Sequence, residues 1–368
     1  MNKGYRIAVI PGDGIGPEVV DEAVNVLELL KNIDLTFNLE FEIFEWSSEY
    51  YLRHGEIMPK DGLDTLKKYD AILFGAAGDK RVPDEVTIWQ LIMPIRKKFN
   101  QYINFRPVKL LRGVPSPLAD GEDIDFVIIR ENAEGEYSNS GGKLYTGTER
   151  ELAIQNTVIT KAGTAKAARF AFEYAKNHGN KTVTSATKSN AILHSMTLWD
   201  EAVEAVSKDY PLITLKSYYI DALAAYFVSR PKDFEVVLAT NLFGDILSDL
   251  GSAVVGGLGL SPSANLNPEG EFPSMFEAVH GSAPDIAGMG IANPIAQIWS
   301  AALMVEHLGR EDLAKLVVEA IEDVLVKAEV RTPDLGGTST TREVGAAICG
   351  AIKRKWSLVD AVRRSHDD

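Results

Sequence analysis

The chain has 368 residues, 45% hydrophobic and 24% charged, with a formal net charge of −14, an ordinary globular composition long enough for two lobes around a cleft. Its acidic balance disfavours nucleic acid and anionic lipid as partners, no apolar run reaches bilayer length, and a single cysteine, Cys349, excludes an internal disulfide. A cytoplasmic protein with small-molecule chemistry in an interlobe cleft is the expectation.

In chain order, strand-length apolar runs are predicted at residues 5–10, 39–46, 70–75, 103–110, 125–130, 181–187, 212–220 and 234–240, most with a helical stretch close behind. This alternation predicts an α/β fold. Between the first strand and a helix from Pro17 lies Pro11-Gly12-Asp13-Gly14-Ile15-Gly16-Pro17-Glu18. A Rossmann loop needs two residues between its second and third glycines, and here Ile15 alone separates Gly14 from Gly16. The motif therefore reads as a tight strand-to-helix turn that could border a cofactor cleft, with Asp13 disfavouring close pyrophosphate approach. Residues 141–160 alternate polar residues with Leu144, Tyr145, Leu152, Ile154 and Val158, which predicts paired strands projecting as a subunit-joining arm. No internal repeat or long linker is present, so the lobes are expected to share strands or cross over more than once.

Further along, Asp245 and Asp249 stand at i,i+4 spacing in a helix whose other residues are mostly apolar. Like charges that close oppose helix formation, and a cation resolves the conflict. Asp221, inside the apolar stretch Tyr218-Tyr219-Ile220-Asp221-Ala222-Leu223, is a third carboxylate in need of a partner. Oxygen-only ligands suit magnesium or manganese better than zinc. Any one of these aspartates alone reads more simply as a cap or surface charge; the trio points to a metal. Arg96, Arg106 and Arg130 lie at or near the ends of predicted elements, and three guanidinium forks would hold a dicarboxylate. Lys188 and Tyr137 are candidate proton carriers, since both types titrate usefully when desolvated or placed beside charge.

Together these segments resemble the β-decarboxylating dehydrogenase family of isopropylmalate, isocitrate, tartrate and D-malate dehydrogenases. The resemblance spans nearly the whole chain. It rests on Ile10-Pro11-Gly12-Asp13-Gly14-Ile15-Gly16-Pro17-Glu18, Arg130-Glu131-Asn132, Asn241-Leu242-Phe243-Gly244-Asp245 and His280-Gly281-Ser282-Ala283-Pro284-Asp285-Ile286-Ala287-Gly288, in that order. It implies a non-Rossmann two-lobe fold with a mixed central sheet. Residues 1–101 and 258–368 would form a large cofactor-binding lobe, and 102–257 a small lobe carrying the arm and the metal-site helix. Arg96, Arg106 and Arg130 would hold substrate carboxylate, while Asp245 and Asp249 share Mn2+ or Mg2+ with Asp221 of the partner subunit. Lys188 of the partner subunit would take the C2 hydroxyl proton with Asp221 nearby, and Tyr137 would protonate the enolate left by decarboxylation. The expected cofactor is NAD, on His280, Gly281, Ser282, Ala283, Asp285, Ile286 and Asn293, with a monovalent cation such as K+ alongside. The implied assembly is a homodimer with shared active sites.

Within the family, NADP-dependent isocitrate enzymes carry lysine and tyrosine where this chain has Asp285 and Ile286, and an acidic side chain repels a 2′-phosphate. Isopropylmalate enzymes carry a glutamate where Trp89 stands, and the indole would shrink the pocket. Trp46-Ser47-Ser48-Glu49-Tyr50-Tyr51 and Gln101-Tyr102-Ile103-Asn104 also look like the tartrate and D-malate branch. The expected reaction is therefore oxidation of a tartrate and oxidative decarboxylation of D-malate to pyruvate and CO2. A 3-isopropylmalate dehydrogenase and a non-catalytic diacid-binding protein are the rival expectations.

Overall fold

A computed structural model describes the backbone of residues 4–119, 121 and 123–367, and the side chains of those up to 358. Twelve strands are present among these: β1 (Gly4–Gly12), β2 (Asn38–Ile43), β3 (Ala71–Ala76), β4 (Ile103–Lys109), β5 (Asp125–Glu131), β6 (Gly141–Leu144), β7 (Leu152–Gln155), β8 (Thr182–Thr187), β9 (Thr214–Tyr219), β10 (Val236–Ala239), β11 (Pro262–Leu266) and β12 (Ser274–Ala278). Ten form one sheet in the order β2-β1-β3-β12-β11-β4-β5-β10-β8-β9. The sheet is mixed. β11 runs antiparallel to both β12 and β4, and β4 antiparallel to β5, while the remaining pairs are parallel.

The strands read correctly from sequence are those whose apolar run reflects cover on both faces. Every residue of β3 and β10 is buried. On one side of the outer strands the helices Gly16–Ile33, Ile295–His307 and Glu311–Lys327 pack over Ile7, Val9 and Leu73; on the other, Phe74, Trp46 and Leu91 form a second core. The strands from β4 to β10 have their own cores, around Phe172 and Trp199 on one face and Phe227 and Leu247 on the other. The run predicted at 39–46 stops as a strand at Ile43, because Ser47 accepts a hydrogen bond from Tyr50 N and caps the helix Ser48–His54. The run predicted at 212–220 is strand only over Thr214–Tyr219.

Neither β11 nor β12 was expected. Their sequences, PSANL and SMFEA, bury Ser263, Asn265, Ser274 and Glu277 alongside apolar residues, so the hydrophobic pattern that marks a strand is diluted. The predicted arm is the antiparallel pair β6–β7, in register from Gly141↔Gln155 to Leu144↔Leu152. Leu144, Tyr145, Leu152 and Ile154 are all exposed on it, and a two-stranded ribbon is marginal without something to cover its apolar side chains. Among the described residues no helix is long and apolar enough to cross a membrane.

Candidate active site

Strand register assembles the floor of the site. Asn104 lies opposite Arg130 on β5 and opposite Asn265 on β11, while Ser263 lies opposite Glu277 on β12. Directly opposed residues share a face, as do residues two apart on one strand. Asn104, Arg106, Arg130, Ser263, Asn265 and Glu277 therefore form one polar band across four adjacent strands. Arg96 reaches it from the helix Met93–Lys98, with Nη2 2.7 Å from Glu277 Oε1. The helix Asn241–Val254 crosses the band and brings Asp245.

Asp245 binds both buried arginines. Arg130, 3% exposed, places Nη1 2.6 Å from Asp245 Oδ1, and its Nε and Nη2 donate to Asn241 Oδ1 at 3.1 and 2.7 Å. Arg106, 7% exposed, donates through Nε to Asn104 Oδ1 at 2.5 Å and through Nη1 to Asp245 Oδ1 at 3.4 Å and to Ser248 Oγ. Burial, together with the neighbouring Arg106, pushes the Arg130 guanidinium down to about 9. Burial likewise lowers Arg106 despite Asp245. These charges are under-compensated, and an anion of substrate would relieve them. Burial alone would raise Asp245, but Arg130 and Arg106 outweigh it and hold the carboxyl below its ordinary range. Tyr137 donates its hydroxyl to Asp245 Oδ2 at 3.1 Å, and burial followed by the Asp245 charge holds its phenol above the ordinary value.

Residues that sequence reasoning missed connect these arginines. Asn104 Nδ2 donates to Asn265 Oδ1 at 2.9 Å, Asn132 Nδ2 donates to the same oxygen at 2.9 Å, and Asn265 Nδ2 donates to Glu277 Oε1 at 2.7 Å. The chain of amides runs from the Arg106 cation to the Glu277 anion with every dipole aligned, the arrangement in which hydrogen bonds reinforce one another. The available signal was the period-2 placement of Asn104 with Arg106 and of Ser263 with Asn265, because buried polar groups need partners.

Glu131, next to Arg130, is buried, and its carboxylate accepts from Ala133 N at 2.8 Å and from Glu134 N at 3.0 Å in the turn that leads to Tyr137. Burial outweighs these bonds and pushes it up to about 7 from an ordinary 4.5. The native chain thus holds a proton that the unfolded chain releases between those values, so Glu131 lowers stability progressively as pH rises from about 4.5 through about 7. Glu131→Gln is expected to gain stability on the native chain by up to ~3 kcal/mol between pH 5 and pH 8. Thermal unfolding at the two pH values measures this, and a difference independent of pH would count against the assignment.

Lys188 and Asp221 pair with each other. Lys188, just past β8, places Nζ 2.5 Å from Asp221 Oδ1 in the first turn of the helix Ile220–Ser229. The Asp221 side chain is 69% exposed, and the Lys188 bond holds its carboxyl below the ordinary range. Among the described residues no hydrogen bond or ion pair joins this pair to Asp245, and no three His, Cys, Asp or Glu gather in one chain as a metal-holding group. Asp245 and Asp249 offer two carboxylates from one helix. Burial, with Asp245 adding to it, raises Asp249, the conflict that a hard divalent cation with further oxygen ligands would remove.

Of the expected cofactor residues, Gly281, Ser282 and Ala283 line a cleft. Residues 77–84 and 281–284 face each other across this cleft of about 690 Å³. His280 sets Nδ1 3.0 Å from Gly281 O, while its Nε2 is buried without a partner and burial lowers its pKa. A neutral imidazole with one free nitrogen fits a polar ligand. Asp285 is exposed, and Ile286 packs on Ile15, Val19 and Ala292. The Asn293 amide is already committed: Oδ1 accepts from Ile295 N at 3.0 Å and Nδ2 donates to Asp334 Oδ2 at 3.0 Å. Trp89 sits half-buried in the π-helical turn Ile88–Ile92, with Lys97 Nζ 5.3 Å from its ring centre.

Comparison with known proteins matches residues 6–348 to the isocitrate/isopropylmalate dehydrogenase model. A probable tartrate dehydrogenase/decarboxylase of Bacillus subtilis is 49% identical over 353 residues, 96% of this chain and 99% of its own. The D-malate dehydrogenase (decarboxylating) of Escherichia coli is 50% identical over 363 residues, 96% of this chain and all of its own (100%). The crystal structure of isocitrate dehydrogenase from Methylococcus capsulatus superposes with a TM-score of 0.87 at 33% identity, covering 95% of this chain and 99% of that one.

Proposed function

Because the chain belongs to the isocitrate/isopropylmalate dehydrogenase family, we propose that it is an NAD-dependent, Mn2+- or Mg2+-dependent dehydrogenase that oxidises a tartrate and oxidatively decarboxylates D-malate. The observation that carries this reading is the gathering of Arg96, Arg106 and Arg130 around Asp245, with the Tyr137 hydroxyl on the same carboxylate. The names of the relatives at about half identity support the substrate class.

Arg96, Arg106 and Arg130 bind the diacid's carboxylates and orient C2 and C3 between the helix Asn241–Val254 and the strand floor. Residues 280–285 would hold NAD, which would supply a hydride acceptor, and Asp245 and Asp249 with Asp221 of the partner subunit would hold a divalent ion, which would supply electrophilic stabilisation of the substrate's oxygen. Lys188 of the partner subunit takes the hydroxyl proton. Tyr137, whose raised phenol keeps its proton at neutral pH, then delivers one to C3 after the carboxylate leaves as CO2. The protein works as a homodimer. The exposure of Asp221, whose side chain bonds Lys188 and makes no hydrogen bond or ion pair to Asp245 among the described residues, and the uncovered apolar side chains of the β6–β7 arm and of Ile246, support a second chain completing each site.

The test is NADH release with Mn2+ present and D-malate, tartrates or 3-isopropylmalate as substrate. D-malate is expected to be used efficiently, a tartrate measurably and 3-isopropylmalate more weakly, with NAD favoured over NADP by ~100-fold through repulsion at Asp285. A wide preference for 3-isopropylmalate would reassign the substrate, and no NADH release from any of them would leave a diacid-binding protein.

A further inference from the structure

The Pro11–Glu18 turn, whose glycine spacing fits no dinucleotide fingerprint, touches both walls of the cleft between residues 77–84 and 281–284. Towards one wall, Asp13 N donates to Ala76 O at 2.8 Å, and Asp13 Oδ2 accepts from Gly78 N at 2.8 Å. Towards the other, Ile15 N donates to Ser282 O at 2.9 Å. The same Asp13 carboxylate accepts from Ser48 N at 2.7 Å and Ser48 Oγ at 2.8 Å, tying in the helix Ser48–His54. Close backbone approach makes these bonds possible. Gly12, at φ +70°, and Gly14, at φ +60°, would each bring a Cβ to 1.9 Å from a carbonyl oxygen, that of Ala76 and of Ser282 respectively. Here the glycines serve contact between chain segments, with L side chains also excluded by the left-handed backbone.

Asp13 is 7% exposed, and among the described residues no cation is paired with it. Three donors converge on two carboxylate oxygens, which have the acceptor capacity for them all. An asparagine would offer one acceptor oxygen and turn its own N–H groups towards an N–H donor. A second strap runs from Arg81 to Asp79 and Glu49 on the rim of the same loop, but it is solvent-exposed and screened, too weak to take over.

We propose that Asp13 is a positioning residue for the cofactor cleft: its carboxylate holds the Gly78 wall at a set distance from the Ser282 wall, and dinucleotide affinity depends on it while diacid affinity does not. The proposal rests on the assignment of NAD to this cleft. Losing charge-assisted bonds that set the width is expected to weaken NADH binding ~10-fold or more.

The experiment titrates purified protein with NADH, reading energy transfer from protein tryptophan to the nicotinamide without substrate present, and measures KM for NAD and for D-malate alongside the thermal midpoint. Asp13→Asn should raise the NADH Kd and the KM for NAD ~10-fold or more, with the D-malate KM within ~2-fold of the native value. Ser48→Ala, which removes only the hydroxyl bond and leaves Ser48 N in place, should give a smaller increase of ~2- to 5-fold and serves if Asp13→Asn does not fold. Native NADH affinity in either folded variant would overturn the proposal, as would a D-malate KM that rises in parallel with that for NAD. If the native chain itself fails to bind NADH, the cofactor assignment is wrong and this inference falls with it; native binding with unaffected variants removes this inference alone.

Discussion

Asp245→Asn is expected to reduce turnover at least ~100-fold at saturating D-malate and Mn2+. The substitution keeps the shape and removes the charge to which Arg130 Nη1 at 2.6 Å, Arg106 Nη1 at 3.4 Å and the Tyr137 hydroxyl at 3.1 Å are all directed. Two buried guanidinium groups then lose their counter-charge, the phenol loses a charged acceptor, and the helix loses one of two carboxylates proposed to hold a divalent ion. Exhaustive chelation of the native enzyme should likewise abolish turnover, and Mn2+ or Mg2+ should restore it. Steady-state rates with graded Mn2+ distinguish the contributions: lost ion affinity moves the Mn2+ requirement, whereas lost pairing of the arginines lowers the rate at any Mn2+ concentration. Full activity after chelation, or in Asp245→Asn, would sink the role given to this helix.

Chains carrying Lys188→Ala and chains carrying Asp245→Asn should each be inactive alone and regain activity when mixed and allowed to exchange subunits. A heterodimer has one site in which both substitutions meet and one in which neither does, so random exchange should restore up to about a quarter of native activity. The prediction follows from the position of Lys188. Its ammonium is paired with the largely exposed Asp221 at 2.5 Å, and among the described residues no hydrogen bond or ion pair joins it to Asp245 of the same chain. A proton carrier must come within hydrogen-bond reach of the group it serves. Absence of recovery despite demonstrated exchange would show that each site is built from one chain. The Lys188–Asp221 pair would then need another explanation.

The residues proposed to carry this chemistry were legible to different degrees. Asp245 and Asp249 announce themselves through i,i+4 spacing among apolar neighbours, and Arg106 and Arg130 through charge within otherwise apolar strands, because a charge in such a setting needs a partner. The glycine motif was legible as a turn. Its purpose was not, since Asp13 works through Ser48 and Gly78, respectively 35 and 65 residues away.

By itself the sequence determined the α/β alternation, the buried strands β3 and β10 and the β6–β7 ribbon, because local periodicity records which side chains meet apolar cover. Tertiary structure alone decided that β11 and β12 are strands, that Asn104, Asn265 and Glu277 join Arg106 to Arg96, and that Lys188 pairs with Asp221. Polar pairing leaves no local period. Asn104 and Asn265 are 161 residues apart and Arg96 and Glu277 are 181 apart, and a buried amide is stable only through partners that the sheet register brings to it.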